Sequence, residues 1–308
     1  MKTKYKILLA TDYSEAVMNA ERYAVQFAVS TNSILTLLHV YPIPFSSPET
    51  PLEYAQSPDE LRDFQQKLLE KHREELFRSL NIKADEINYE CIVREGNPGK
   101  QIRKEAKESG SDFVIVGTHG ASGFREVFFG SHSWDVIKKS SVPVIAVPKE
   151  AIFTGMKNIV FGTEYREGEI PVINFLTKFA KHFNAEVTVL HSTNYVLSKH
   201  FEKEMFERFR NDIKGKISYK KLNIQLIKSE NIIDGLNRFS EHTKADLLVM
   251  SPEQPYLFEK IFMPNKSIVK KMSFHTTLPL MTIPDFYNPE YTDFWKHFAE
   301  GDFVNEDF

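Results

Sequence analysis

Two glycine clusters, separated by nine residues, are the part of the chain whose residue types indicate chemistry. The first runs from Gly117 to Gly120 and the second from Gly130 to Ser133. Glycine lets a backbone approach an anion without an intervening Cβ. The second cluster leads into a predicted helix, whose first N–H groups have no partner inside the helix and therefore attract phosphate. The spacing predicts a site for a nucleotide or another phosphorylated ligand.

The predicted strands place these clusters where ligands usually bind in a parallel sheet. Phe113 to Val116 is a short apolar run, typical of a buried parallel strand, and the first glycine cluster follows it directly. Asp12 follows a similar run, Ile7 to Ala10. Ligands of open parallel sheets lie beyond the carboxyl ends of the strands. The Asp12 carboxylate could accept bonds from ribose or help hold a metal ion on phosphates, or it could cap the next helix.

The complete spacing, Gly117-x-x-Gly120, nine residues and then Gly130-Ser131, resembles the nucleotide motif of the universal stress protein family, in its ATP-binding branch. The resemblance implies that ATP or another adenine nucleotide binds, with or without Mg²⁺. It implies that backbone groups at Val40 contact adenine, and that the glycines surround ribose and phosphates. The residues expected at the nucleotide are Ala10, Thr11, Asp12, Val40, Val116, Gly117, Gly120, Gly130, Ser131, His132 and Ser133.

Two other phosphate motifs do not fit the sequence. Gly96-Asn97-Pro98-Gly99-Lys100-Gln101 has two residues between its glycines, whereas a P-loop has four, and it has Gln where a P-loop has Ser or Thr. The glycines at 117, 120 and 123 do not match the GxGxxG dinucleotide fingerprint either.

Apolar runs alternate with helical patterns along the whole chain, which predicts an α/β fold with doubly wound parallel sheets of about five strands. The family resemblance implies the strand order 3-2-1-4-5, as in adenine nucleotide alpha hydrolases. The first helix is expected over about Glu15–Ser30, capped by Asp12 or Ser14.

The chain repeats itself after residue 150, since residues 158–165 parallel residues 6–13 at an offset of 152. We therefore predict domains at 1–150 and 151–284, followed by an aromatic and acidic segment at 285–308. The second domain has Ser251-Pro252-Glu253-Gln254-Pro255 in place of the first glycine cluster, so its site is expected to be degenerate. His39 and His191 are equivalent strand-end residues of the two domains, and a structural role is expected for both.

The composition is that of a globular protein, with 42% hydrophobic residues and a net charge of −3. A nucleic-acid or membrane partner is therefore not expected, and the short apolar run near the N-terminus predicts a cytoplasmic location. The single cysteine, Cys91, is expected to be a buried and inert thiol.

No nucleophile with a neighbouring base is visible, so we expect a nucleotide-dependent stress-response regulator rather than an enzyme, with slow ATP hydrolysis left open. One alternative is a scaffold that does not bind nucleotide, and another is an adenylate-forming or flavin-binding relative. The expected protein contacts are an unidentified partner, a homodimer, or internal pairing of the two domains through residues 144–147 and 280–283.

Overall fold

The computed structural model describes residues 4–42, 57–118, 131–166, 168–193, 199–251 and 278–284. The chain divides into two compact units, of which the first ends at Glu150 and the second begins at Ala151. The predicted C-terminal segment 285–308, most of the stretch that replaces the glycine clusters in the second unit, and residues 119–130 lie outside the described residues.

Strands and helices alternate in the first unit. Its described elements are β1 (Lys6–Thr11), α1 (Met18–Ser30), β2 (Ile34–Tyr41), α2 (Pro58–Ser79), a 3₁₀ turn (Ala84–Glu86), β3 (Asn88–Glu95), α3 (Pro98–Glu108), β4 (Phe113–Gly117), α4 (Ser131–Lys139) and β5 (Val144–Val147). All strand pairs within the unit are parallel, and their order is β3-β2-β1-β4-β5. The predicted fold class and strand order are therefore confirmed.

The second unit repeats this architecture. Its described elements are β6 (Asn158–Gly162), α5 (Glu169–Phe183), β7 (Glu186–Thr193), α6 (Lys199–Lys216), β8 (Leu222–Lys228), α7 (Ile232–His242), β9 (Leu247–Met250) and β10 (Leu280–Thr282). The strand order within the unit is β8-β7-β6-β9-β10. Ile7 pairs with Leu35 in the first unit and Ile159 pairs with Val187 in the second, so the pairing register is repeated at the sequence offset.

Burial explains why these segments form a layered sheet. The central strands β1 and β4 are apolar on both faces, and Ile7, Leu9 and Ile115 are fully buried, because helices cover the parallel sheet. Helix α1 buries Ala20, Ala24 and Phe27, which recur at helical spacing and form its sheet-facing stripe.

A side-chain cap marks the start of helix α2 but not the start of helix α1. Helix α2 has a capping box, in which the Ser57 hydroxyl accepts from Glu60 N and the Glu60 carboxylate accepts from Ser57 N. Helix α1 instead begins at Met18, and no side-chain hydrogen bond caps it at Val17. The predicted start at Glu15 was therefore wrong. Among the described residues, no helix combines the length and the apolar character that crossing a bilayer requires.

Candidate functional site

The described residues of the predicted site lie at one edge of the sheet of the first unit, where β1, β2 and β4 end. Strand β1 pairs with both β2 and β4, so the carboxyl ends of the three strands are neighbours. Ala10 and Thr11 end β1, Val40 is the penultimate residue of β2, and Val116 and Gly117 end β4. The strand order reverses direction at β1 and β4, which is where doubly wound sheets bind ligands.

Asp12 is exposed directly after β1. One of its carboxylate oxygens, Oδ1, accepts the Ser14 N–H at 3.0 Å, which forms a turn within the loop. The prediction that Asp12 or Ser14 caps helix α1 was therefore wrong, because that helix begins only at Met18 and has no side-chain cap. The exposed carboxylate of Asp12 remains accessible from the crevice.

Val40 presents its backbone toward β1. Along a parallel strand, the polar groups of successive residues point alternately to the two neighbouring strands. Ile34 N donates to Tyr5 O beside β1 at 2.8 Å, and Gly96 N donates to Tyr41 O on the β3 side at 2.9 Å. Val40 is an even number of residues from Ile34, so its N–H and C=O face β1. The last pair of the β1 ladder, Thr11–His39, uses the Val40 N–H, because a paired residue in a parallel ladder bonds to both neighbours of its partner, so only the Val40 carbonyl lies past the last pair.

A buried polar cluster contacts the side chain of Thr11 at the end of β1. Glu21 is 1% exposed, and its Oε1 accepts from the Thr11 hydroxyl and from His72 Nε2, the latter at 2.8 Å. The Thr11 hydroxyl also accepts the Tyr13 N–H at 3.1 Å. The side chain of Thr11 is therefore engaged inside the protein, so any contribution of this residue to a ligand would come from its backbone.

His39 and Tyr13 form a pair that the second unit reproduces. The Nδ1–H of His39 donates to Thr11 O at 2.9 Å, and the His39 ring stacks on Tyr13 with centroids 4.2 Å apart. In the second unit His191 Nδ1 lies 2.7 Å from Thr163 O. The same histidine ring stacks on Tyr165 at 4.0 Å. Because both units keep the pair, it serves the shared fold, as predicted for the two histidines.

Helix α4 starts beside the end of β4. The Ser133 hydroxyl donates to the carbonyl of Gly117 at 3.2 Å, which ties the first turn of the helix to the last residue of the strand. A Cβ on Gly117 would lie 3.4 Å from Cα of Val17 and 3.5 Å from the carbonyl oxygen of Ala16. These are ordinary van der Waals distances, so the end of β4 packs beside the segment that leads into α1 with room for a Cβ.

The remaining predicted residues are described in part or not at all. Gly120 and Gly130 lie outside the described residues, and for Ser131 and His132 the backbone but not the side chain is described. Both belong to the first turn of α4, whose N-terminal N–H groups have no helical acceptors. No group of three or more His, Cys, Asp or Glu side chains suited to a metal ion occurs among the described residues.

In the second unit, the loop after β6 is closed by its own carboxylate. Glu169 is buried and accepts from the Thr163 hydroxyl, from Glu164 N at 3.1 Å and from Arg166 N at 3.2 Å. Burial raises the pKa of the Glu169 carboxyl, and these donors act in the opposite direction. Glu164, which stands where the first unit has Asp12, contacts the guanidinium of Arg166. The backbone N–H groups of Glu164 and Arg166 are thus already satisfied.

Sequence patterns did not identify Glu21, Glu169 or His72. Each glutamate supports a threonine, Thr11 as the last residue of β1 and Thr163 directly after β6, but the two glutamates do not correspond at the offset of 152 that relates these threonines. The one sequence signal for a buried glutamate was its place beside the apolar stripe of a helix, since Glu21 lies one residue from Ala20 on α1.

The Glu21–His72 pair leads to a prediction about pH. The hydrogen bond that His72 donates to the Glu21 carboxylate raises the pKa of His72, and burial opposes this shift more weakly. A raised folded-state pKa contributes stability that is complete below the unfolded value and disappears as the pH rises through the folded value. We therefore expect the free energy of unfolding of the first unit to fall as the pH rises above about 6.5, the ordinary value for histidine. Hydrogen exchange of the β1 and β2 amides across this range measures it, because the chain has two units.

The matched control for this pH dependence is His72→Gln, which should remove the decline above the ordinary histidine pKa. Burial lowers the pKa of His39 and of His182, so those two histidines affect stability on the acidic side of that value. An identical slope in the wild type and in His72→Gln would contradict the assignment.

Comparison with known proteins identifies a family and individual relatives. The model of the universal stress protein family matches residues 5–148. Universal stress protein YxiE of Bacillus subtilis is 31% identical over 146 residues, which cover 46% of this chain and 97% of that protein. Universal stress protein MJ0577 of Methanocaldococcus jannaschii is 30% identical over 158 residues, or 47% of this chain and 95% of that protein.

A solved structure extends the likeness in fold to both units. The crystal structure of a universal stress protein from Archaeoglobus fulgidus covers 92% of this chain and 99% of its own, with a TM-score of 0.67 and 16% sequence identity. At this level of identity the likeness concerns the fold alone.

Proposed function

Because the chain belongs to the universal stress protein family, we propose that its first unit binds ATP or another adenine nucleotide and thereby regulates a response to stress. One observation carries the proposal. The first turn of α4 begins at the carboxyl end of β4, since Ser133 bonds to Gly117, and β4 lies next to the strand that ends before the exposed Asp12. This arrangement brings N–H donors and a carboxylate to one crevice.

The described residues fit the parts of such a nucleotide. The N–H groups at the start of α4 suit the phosphates, because they lack helical acceptors and lie at the positive end of the helix dipole. Asp12 suits the ribose hydroxyls or a Mg²⁺ ion on the phosphates, since its carboxylate is exposed. Val40 suits the edge of adenine, because its carbonyl faces β1 beyond the last pair of that ladder.

A matched pair of substitutions tests the assignment to the first unit. Asp12→Ala is expected to weaken ATP binding by about tenfold to a hundredfold, because a hydrogen bond to a charged group contributes about 1.5–3 kcal/mol. Isothermal titration calorimetry measures the change. Glu164→Ala removes a carboxylate from the equivalent loop of the second unit and should leave the affinity unchanged.

The wild-type titration decides between this proposal and a second candidate. If the purified protein releases no nucleotide on denaturation and gives no binding heat with ATP, ADP or AMP, the first proposal fails. A scaffold that acts through its surface would then be favoured, and the closed loop of the second unit, in which Glu169 satisfies the backbone donors, already fits that role.

We expect binding without efficient turnover. Phosphoryl transfer needs metal ions and a residue that positions water or an acceptor, and among the described residues Asp12 is the one candidate at the crevice. Release of inorganic phosphate from ATP, at a rate that Asp12→Ala abolishes, would contradict this expectation.

Pairing of the units or of two chains through residues 144–147 and 280–283 stays a prediction.

A further inference from the structure

We propose that an ion-pair cluster between helices α3 and α4, formed by Arg103, Asp135 and Lys139, positions the first turn of α4 for the phosphates of the nucleotide. The inference rests on the proposed function, since it concerns the phosphate end of the same site. It gives these three residues a positioning role, because none of them needs to touch the ligand.

The cluster is centred on the carboxylate of Asp135. Its Oδ2 accepts from the Arg103 guanidinium across the two helices, and its Oδ1 lies 2.7 Å from Lys139 Nζ, one turn along α4. Arg103 and Asp135 are 23% and 29% exposed, so the pair is partly shielded from water. Burial acts to raise the pKa of the Asp135 carboxyl, but the bonds from Lys139 and Arg103 lower this pKa. The carboxylate therefore stays ionised near neutral pH.

Gly99 makes room for this contact. A Cβ at position 99 would lie 2.6 Å from Oδ2 of Asp135, well inside the closest approach of two such atoms. Moving the carboxylate aside would disturb its bonds to Arg103 and to Lys139. A glycine in a helix is otherwise unfavourable relative to alanine by roughly 1 kcal/mol, so the position has a packing reason.

Helix α3 is held in place by a cap at its start and by buried side chains. Its start is capped by Asn97, whose side chain accepts from Lys100 N at 3.0 Å, and it buries Ile102 and Ala106. Arg103 lies between these two buried residues in sequence, so its backbone is fixed by packing on both sides.

Two contacts therefore fix the beginning of α4. Ser133 bonds to the end of β4 and Asp135, two residues later, bonds to α3. These residues span about 3 Å along the helix axis, given a rise of about 1.5 Å per residue. The direction in which the first N–H groups of α4 point is consequently set by both contacts, and loosening one of them should misplace the donors.

The electrostatics of Asp135 make the proposal testable. A carboxylate near the start of α4 repels phosphate, so removing its charge without moving the helix should strengthen ATP binding. Removing the charge and thereby releasing the helix should weaken binding instead. A purely repulsive Asp135 and a positioning Asp135 therefore predict changes in ATP affinity of opposite sign.

The experiment compares ATP and adenosine binding to full-length Asp135→Asn by calorimetry. We expect the ATP affinity to fall about tenfold while the adenosine affinity stays at the wild-type value, because adenosine has no phosphate. Unchanged or tighter ATP binding would overturn the inference, as would an equal loss for both ligands. A wild-type protein that binds neither ligand would instead refute the proposed function.

Gly99→Ala is the second variant and leaves all charges in place. It should reproduce the ATP-specific loss, although alanine favours the helix, and the combination with Asp135→Asn should cause no further loss. Glu108→Gln is the matched charge control, because Glu108 lies on α3 in an exposed pair with Lys104 at 3.8 Å. Its affinity for ATP should equal that of the wild type.

Discussion

Replacing Gly130 by aspartate is expected to abolish ATP binding. Gly130 lies outside the described residues, but it directly precedes Ser131, the first residue of α4, where the phosphates are proposed to bind. The new side chain would bring a Cβ and a negative charge to that position. An unpaired like charge at a desolvated site costs several kcal/mol, which corresponds to a loss of at least about a thousandfold in affinity. Calorimetry with ATP measures it.

The control for this substitution is Gly215→Asp. It makes the same chemical change on α6, where a Cβ would meet no atom of the described residues within 4 Å. Circular dichroism should show the same helix content for both variants. A Gly130→Asp variant that keeps wild-type affinity would place the phosphates elsewhere, whatever the behaviour of Asp12→Ala.

The strand pattern and the internal repeat predicted the fold because both depend on local sequence. The apolar runs at Ile7 and Phe113 are short, are buried on both faces and are followed by turn residues, which is typical of central parallel strands. The strand order came from the family resemblance and was confirmed. Of the residues expected at the crevice, those that follow the apolar runs lie at the ends of β1, β2 and β4, and Ser131, His132 and Ser133 lie in the first turn of α4.

The sequence could not predict contacts between distant segments. His72 and Glu21 are 51 residues apart, and no local spacing relates a histidine of α2 to a glutamate of α1. The Arg103–Asp135 contact likewise joins two helices that the sequence treats as independent. The start of α1 was misplaced for a different, local reason, since Asp12 and Ser14 hydrogen-bond within their own loop, which competes with helix capping.

The two units reach the same local arrangement by different routes. Each keeps a threonine at the end of its first strand, a tyrosine two residues later and a histidine stacked on that tyrosine. In each, a buried glutamate accepts from the threonine hydroxyl, but Glu21, in the first turn of α1, also binds His72, whereas Glu169 binds backbone N–H groups. The second unit therefore closes the loop that the first leaves accessible at Asp12.

Glu21→Ala is expected to destabilise the first unit by about 3–5 kcal/mol, the usual loss when one partner of a buried ion pair is removed. Glu21 is 1% exposed, and its removal leaves both the Thr11 hydroxyl and the His72 ring without the acceptor they share. Because the chain has two units, the loss should be read from hydrogen exchange of the β1 and β2 amides rather than from a single unfolding midpoint.

Glu74→Ala separates this effect from the general loss of a carboxylate. Glu74 is on α2 with a side chain that is 57% exposed and 3.4 Å from Arg73, so its removal should change stability by no more than about 0.5 kcal/mol.

In the double variant Glu21→Ala/His72→Ala, part of the loss of stability should be recovered, because the unpaired imidazole is gone as well. Strict additivity of the two substitutions, or a loss below about 1 kcal/mol for Glu21→Ala, would mean that the pair does not hold α2 against α1 and β1 in solution.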